Sequence, residues 1–188
     1  MSCCEMRIDQ LNFPTEVEYD GIHAFGIGHE SCVLKFIRIV REARLLEFAG
    51  RQRVSGKEIR LVTPFVPERH LNEMKTVLRE VLAYPVFADC VVVVNDLGMM
   101  NYIHRIDETR RMCLGRGLIA CFDYAPWGRH IYEHELPSVQ KAVAQVSLYD
   151  DEKTALFRHY QVTEVETDLT DGSVESLREL QKEGFKVY

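Results

Sequence analysis

The chain has 188 residues and a formal net charge of −6, with 29 Asp and Glu against 23 Lys and Arg. This length suits one domain with a buried core. The acidic balance argues against a large nucleic-acid footprint, and no apolar run approaches the roughly 18 residues that a membrane span needs. The first residues lack the basic and apolar regions of a secretory signal, so we expect a cytoplasmic protein without membrane contact.

The six cysteines are spread along the chain without a C-x-x-C pair, which argues against a zinc ribbon. We expect free thiols rather than disulfides, because nothing in the sequence indicates secretion. Cys90 and Cys113 stand inside apolar runs, so both are expected in the core.

Strand and helix patterns alternate along the whole chain. In the first half the patterns predict strands over 6–13 and 22–28, a helix over about 31–50, a strand over 58–63 and a helix over 71–82. In the second half they predict a strand over 88–94, a helix over about 100–110, a strand over 112–119, an irregular loop over 123–137, helical segments within 139–160, a strand over 162–169, a helix over 173–183 and a last strand over 185–188.

Strands that alternate with helices in this way indicate right-handed βαβ units and parallel pairing. We count six clear strands, or seven with the N-terminal one, whereas a closed barrel of this type has eight strands and about 250 residues. The sequence therefore predicts an α/β fold, an incomplete TIM-like (β/α) barrel with parallel strands. Residues 1–188 would form a single partial barrel domain, in which residues 1–20 are an N-terminal strand and link.

An incomplete barrel leaves an open sheet edge, and exposed edges favour association with other chains. We therefore expect a homo- or hetero-oligomer whose partner covers the edge, or a chain that is the N-terminal part of a longer enzyme.

Three segments carry a resemblance to a known family. They are residues 59–64 (IRLVTP), residues 91–98 (VVVVNDLG) and residues 113–118 (CLGRGL), the last followed by Pro126 and Trp127. Their order and spacing resemble the U-thirty-two family of collagenase-like peptidases over residues 57–188. The resemblance implies a TIM-like barrel, a small-molecule or RNA substrate, and a role in RNA base hydroxylation or in oxygen-independent ubiquinone hydroxylation.

The resemblance also implies a cofactor. Several members hold an iron–sulfur cluster with four cysteines, and Cys32 stands in a position similar to the early cysteine of one ubiquinone-pathway member. Cys32 is therefore a candidate cofactor ligand. The other ligands have no counterpart in this sequence, so a cluster is expected only with a partner chain or a further segment.

Barrel active sites lie at the carboxyl ends of the strands. The polar residues predicted there are His29, Glu30, Thr63, Asn95, Asp96, Arg116 and Asp168. We take Asn95, Asp96 and Arg116 as candidate catalytic residues. Asn95 and Asp96 also fit a turn or a helix cap. Arg116 needs a carboxylate partner or an anionic ligand, because burying an unpaired guanidinium is costly.

His130, Glu133 and His134 fit H-x-x-E-H, the inverted zinc-peptidase pattern. On a helix the two histidines would share one face, and Glu133 could act on a metal-bound water. Gly128 and Pro137 leave room for fewer than two helical turns, which favours the alternative of surface or loop histidines.

Two further patterns have a functional and a structural interpretation. Cys32 follows His29 by three residues at a predicted helix start, where a thiolate would be favoured, and the alternative is a buried or inert thiol. Glu164, Glu166 and Asp168 alternate along a predicted strand, so they share one face. In a barrel this face is either the lumen or the helix layer, and carboxylates inside would perturb one another's pKa values. The plain alternative is that they line a polar rim.

Three functions are therefore compatible with the sequence. The first is a part of, or a partner to, an oxygen-independent hydroxylation enzyme or an RNA or cofactor modification enzyme. The second is a non-catalytic binding or assembly protein. The third is a metal-dependent peptidase that uses the segment from His130 to His134.

Overall fold

The computed structural model describes residues 4–8, 21–119, 134–144, 151–167 and 173–188. Seven strands lie within these ranges: β1 (Cys4–Ile8), β2 (Ile22–Gly28), β3 (Glu58–Val62), β4 (Val91–Val94), β5 (Met112–Leu114), β6 (Val162–Val165) and β7 (Lys186–Val187). The helices are α1 (Val33–Val40), α2 (Ala43–Val54), α3 (Leu71–Leu82), α4 (Leu97–Ile106), α5 (Pro137–Ala144), α6 (Asp151–His159) and α7 (Val174–Lys182), with short 3₁₀ turns at Glu68–His70 and Pro85–Phe87.

The strands form one sheet whose order follows the chain from β1 to β7, and every pairing is parallel. The sheet curls into a half barrel flanked by helices. An order without reversal is that of a TIM barrel, whereas the strand order of a doubly wound sheet reverses at its switch point. The predicted incomplete TIM-like barrel is thereby confirmed. Among the described strands, β1 and β7 are the two edges.

The main apolar core lies between the sheet and the helices, where Ile27 and Leu61 pack with Phe36 and Met74. β4 is buried on both faces, because Val92 and Val94 join this core while Val91 and Val93 pack on the concave face. Its unbroken run of valines predicts such a doubly covered strand. Cys90 and Cys113 are buried, as predicted.

The helix predicted over residues 31–50 is in fact two helices, α1 and α2, with a break at Arg41 and Glu42. The spacing of the apolar residues explains the break. Val40 and Leu45 are five residues apart, so on a continuous helix Leu45 would be rotated by about 140° from Val40. The break allows both residues to be buried. No helix in the described part of the chain combines the length and apolar character needed to cross a bilayer.

Candidate functional site

Asn95 joins the carboxyl ends of three strands. Its side chain is buried, its Nδ2 donates to the Thr63 carbonyl at 2.8 Å, and its Oδ1 accepts from the Gly117 amide at 2.8 Å. A Cβ on Gly115 would lie 2.7 Å from Asn95 Cγ, so the glycine gives the amide its space. The three segments that carry the family resemblance therefore meet at this side chain. The same contact explains why β5 ends at Leu114, five residues earlier than predicted.

Asp96 caps α4. Its Oδ1 accepts from the Met99 amide at 2.8 Å, and its Oδ2 accepts from the Val66 amide at 3.3 Å. Both contacts fit the helix-cap alternative, and they move the helix start from the predicted residue 100 to Leu97. A catalytic role for Asn95 and Asp96 stays a prediction.

Arg116 has the carboxylate partner that the sequence analysis expected. Its Nη2 lies 3.1 Å from Glu30 Oε2, and this pair joins the loop after β5 to the loop after β2. Arg116 is exposed rather than buried, with 44% of its side chain accessible, so the costly burial inferred from its apolar neighbours does not occur. The pair is screened by water, but the guanidinium is accessible to a ligand. The catalytic role of Arg116 stays a prediction.

His29 organises the turn that precedes α1. Its Nδ1 accepts from the Cys32 amide at 3.1 Å and from the Ser31 amide at 3.3 Å. These bonds assign the ring proton to Nε2. Cys32 is the N-cap residue, makes no side-chain capping bond and is half-buried. Its predicted roles as cofactor ligand and as nucleophile are not tested by these contacts.

The H-x-x-E-H pattern is only partly visible. His130 and Glu133 lie outside the described residues, as does Asp168, while His134 is exposed. Within the described ranges, no three His, Cys, Asp or Glu side chains are grouped in a way that could hold a metal ion. The predicted role of Cys32 as a cluster ligand, together with a partner chain or a further segment, stays a prediction, and so does the zinc site.

Charged side chains fill the concave face of the sheet. Each of them makes an ion pair with another member of the set, which consists of Glu5, Arg7, Glu58, Arg60, Arg111, Glu164 and Glu166. We call this set the lumen cluster. Four carboxylates face three guanidiniums, so the set carries one formal negative charge in excess.

Arg60 lies at the centre of the lumen cluster and is fully buried. Its Nη2 lies 2.7 Å from Glu164 Oε2 and 3.3 Å from Glu58 Oε2. Its Nε lies 3.5 Å from Glu5 Oε2, and its Cζ lies 4.1 Å from the centre of the Tyr188 ring. Burial by itself lowers the pKa of a guanidinium, but the carboxylates, with Glu164 first, outweigh burial and raise the pKa of Arg60. Arg60 therefore stays charged.

Arg7 ties the first strand to the end of the sixth. Its Nε lies 2.8 Å from Glu5 Oε1, and its Nη2 donates to Glu166 Oε2. Burial raises the pKa of the Glu5 carboxyl, Arg7 opposes this rise, and Glu166 adds to it. A proton on Glu5 would balance the formal charge of the lumen cluster, because three carboxylates would then face three guanidiniums.

Gly26 in β2 makes room for the lumen cluster. It is paired in register with Arg7 on one side and with Arg60 on the other. A Cβ at this position would overlap Glu5 Oε1 and would lie 2.8 Å from Arg7 Cδ. The glycine thus lets the long charged side chains of both neighbouring strands cross over β2.

Among the described residues, two cavities open at the carboxyl ends of the strands. The β2–β5 cavity, of about 200 Å³, is lined by Arg7, Gly28, His29, Glu30, Val62 and Arg116. The β1–β6 cavity, of about 250 Å³, is lined by Glu5, Arg7, Arg116, Glu166, Thr167 and Tyr188. Arg7 and Arg116 border both cavities. This is the end of the sheet at which barrel enzymes place their active sites.

Of the lumen cluster, only Glu164 and Glu166 were singled out from the sequence, whereas Glu5, Arg7, Glu58, Arg60 and Arg111 were not. A usable signal was present, because Glu5 and Arg7 alternate on β1 in the same way that Glu58 and Arg60 alternate on β3. Opposite charges two residues apart share one face of a strand. Read together with the alternating acids of β6, this pattern indicates a charged barrel interior.

Among family models, curated proteins and solved structures, none matches the chain. The U-thirty-two resemblance therefore stays a prediction, as do the peptidase, hydroxylation and iron–sulfur roles that it implies.

Proposed function

We propose that the chain is the barrel part of, or a subunit bound to, an enzyme of oxygen-independent hydroxylation or of RNA or cofactor modification. The observation that supports this most is the meeting of the three family-like segments at Asn95. Its hydrogen bonds to Thr63 and Gly117 hold together the end of the sheet where the two cavities open. A partner that covers the edge of β1 or β7 fits this role, because unpaired strand edges favour association.

In this proposal the β2–β5 cavity binds the polar part of a small-molecule or RNA substrate. The Arg116 guanidinium is accessible there, Glu30 orients it, and the Nε2–H of His29 is a further donor at the same cavity. A substrate oxygen or a phosphate group would match these donors.

A non-catalytic binding or assembly protein is the second candidate. It is favoured by the contacts of Asn95 and Asp96, because the polar atoms of both side chains already bond to backbone groups of the chain itself. Gene deletion with rescue by an Arg116 variant separates the two candidates.

Deletion of the gene in the source organism, followed by growth without oxygen and mass spectrometry of RNA nucleosides and quinones, tests the proposal. We expect the loss of one hydroxylated species. The wild-type gene should restore it, and so should Arg105→Gln, because Arg105 is exposed on α4 and lines neither cavity. Arg116→Gln should not restore it. Unchanged nucleoside and quinone profiles would reject the proposal, whereas full rescue by Arg116→Gln would favour the assembly protein.

A further inference from the structure

The β1–β6 cavity contains buried acceptors that lack a hydrogen-bond donor. Glu166 is 6% exposed and lines this cavity, and its Oε1 has no hydrogen-bond partner, the Arg60 Nη1 being 3.6 Å away. The hydroxyl of Thr167, which also lines the cavity, has no partner either. A carboxylate oxygen and a hydroxyl oxygen in one lining suit a ligand group with several N–H donors, such as an ammonium.

The same cavity also presents donors. Arg7 Nη1 is buried and has no hydrogen-bond partner, although Nε and Nη2 of the same guanidinium contact Glu5 and Glu166. The guanidinium of Arg116 lines the cavity beside it. Two guanidiniums in the lining of one cavity suit a carboxylate, which can accept N–H bonds from both.

The charges of the cavity disfavour a ligand with charge of one sign only. A simple anion would meet Glu5 and Glu166, and a simple cation would meet Arg7 and Arg116. A volume of about 250 Å³ lies below the roughly 300–1,000 Å³ of sites for drug-sized ligands, so the ligand is smaller. A small zwitterion, with an ammonium and a carboxylate on the same carbon atom, can pair with both the carboxylates and the guanidiniums of the lining.

We propose that the β1–β6 cavity binds a free α-amino acid as its zwitterion. The ammonium lies against Glu166 Oε1 and Thr167 Oγ1, and the carboxylate faces Arg7 and Arg116. This inference goes beyond the proposed function, whose substrate binds in the β2–β5 cavity, and shares with it only the placement of ligands at the carboxyl ends of the strands.

Titration calorimetry of the full chain with each of the common L-amino acids tests the inference. We expect saturable binding of at least one of them. For that amino acid, three analogues with the same side chain should bind at least about tenfold more weakly: the decarboxylated amine, the 2-hydroxy acid and the α-amino amide. If no amino acid binds, the inference is overturned. Equal binding of the amide would also overturn it and would indicate the N-terminus of a peptide.

Thr167→Val provides the matched variant, because its hydroxyl has no protein partner whose loss would disturb the fold. Affinity should fall about tenfold in Thr167→Val and stay unchanged in Thr163→Val, since Thr163 is exposed on β6. Unchanged affinity in Thr167→Val would count against the site.

The amino-acid site and the proposed function can be rejected independently of each other. A chain that binds an amino acid while the deletion leaves the nucleoside and quinone profiles unchanged would keep this inference and reject the proposed function. Loss of a hydroxylated species in the deletion strain, without amino-acid binding by the chain, would keep the proposed function and reject the amino-acid site.

Discussion

Two glycines of this chain stand in opposite surroundings. Gly26 lies beneath the side chains of Glu5 and Arg7, where a Cβ would displace the charged groups from their ion pairs. Gly50, inside α2, has no atom within 4 Å of the place that a Cβ would occupy. The same substitution therefore has opposite consequences at the two positions.

Gly26→Ala should lower the free energy of unfolding by about 1–3 kcal/mol, because the overpacked charged side chains must shift inside a buried cluster. Gly50→Ala should raise it by about 0.5–1 kcal/mol, since alanine costs less backbone entropy in a helix. Urea denaturation of both variants checks the pair of values. Equal effects would contradict the crowding of Gly26 by the lumen cluster.

Two boundaries of secondary structure in this chain, the start of α4 and the end of β5, coincide with tertiary contacts. The apolar periodicity predicted the start of α4 at residue 100, but Asp96 caps the helix and the structure begins it at Leu97. The end of β5 at Leu114 depends on the Asn95 side chain beside Gly115. Both boundaries rest on side-chain bonds that hydrophobic spacing does not encode.

At Asp96, the cap and a catalytic role make different predictions for stability. Asp96→Ala should lower the free energy of unfolding by about 1 kcal/mol or somewhat more, because the Met99 and Val66 amides lose their acceptor. Asp96→Asn should keep most of the stability, since asparagine caps nearly as well. Chemical denaturation measures both. An alanine variant as stable as the wild type would remove the structural explanation of Asp96 and leave the catalytic one.

At the scale of the whole molecule, the lumen cluster is what distinguishes this half barrel. TIM barrels fill their interior mainly with branched apolar side chains. Here Arg60 and its carboxylates occupy much of that space, while Val62, Val91, Val93 and Cys113 form a small apolar patch on the same face. Buried ion pairs contribute little net stability but are costly to break singly. Because protonation of a carboxylate breaks its ion pair, the free energy of unfolding depends on pH.

Glu5 sets the direction of this dependence. Its folded-state pKa lies above the ordinary value of 4.5, so its contribution to stability is fully present below that pH and is lost as pH rises through the folded pKa. Glu5→Gln stays neutral at every pH. The free energy of unfolding of Glu5→Gln minus that of the wild type should therefore increase from about pH 4 to about pH 7.

Urea denaturation at several pH values across this range measures the difference. Glu80→Gln is the matched control, because Glu80 is exposed on α3, and its difference from the wild type should stay nearly constant. A flat or falling difference for Glu5→Gln would show that the folded chain does not raise the pKa of Glu5.

The sequence by itself determined the alternation of strands and helices, the parallel sheet and the incomplete barrel. These features depend on the periodicity of neighbouring residues, which a single sequence carries in full. It also located the polar residues that follow the strands, although it left open whether Asn95 and Asp96 act on a substrate or hold the chain.

Only the tertiary structure decided which charges meet. Arg60 binds Glu164 across 104 positions of sequence, and Arg7 binds Glu166 across 159. The curl of the sheet brings these strands face to face, and no local pattern specifies the partner of a charged side chain that far away. The lumen cluster, the β1–β6 cavity and the ligand that we infer for it therefore depend on the curl of the sheet.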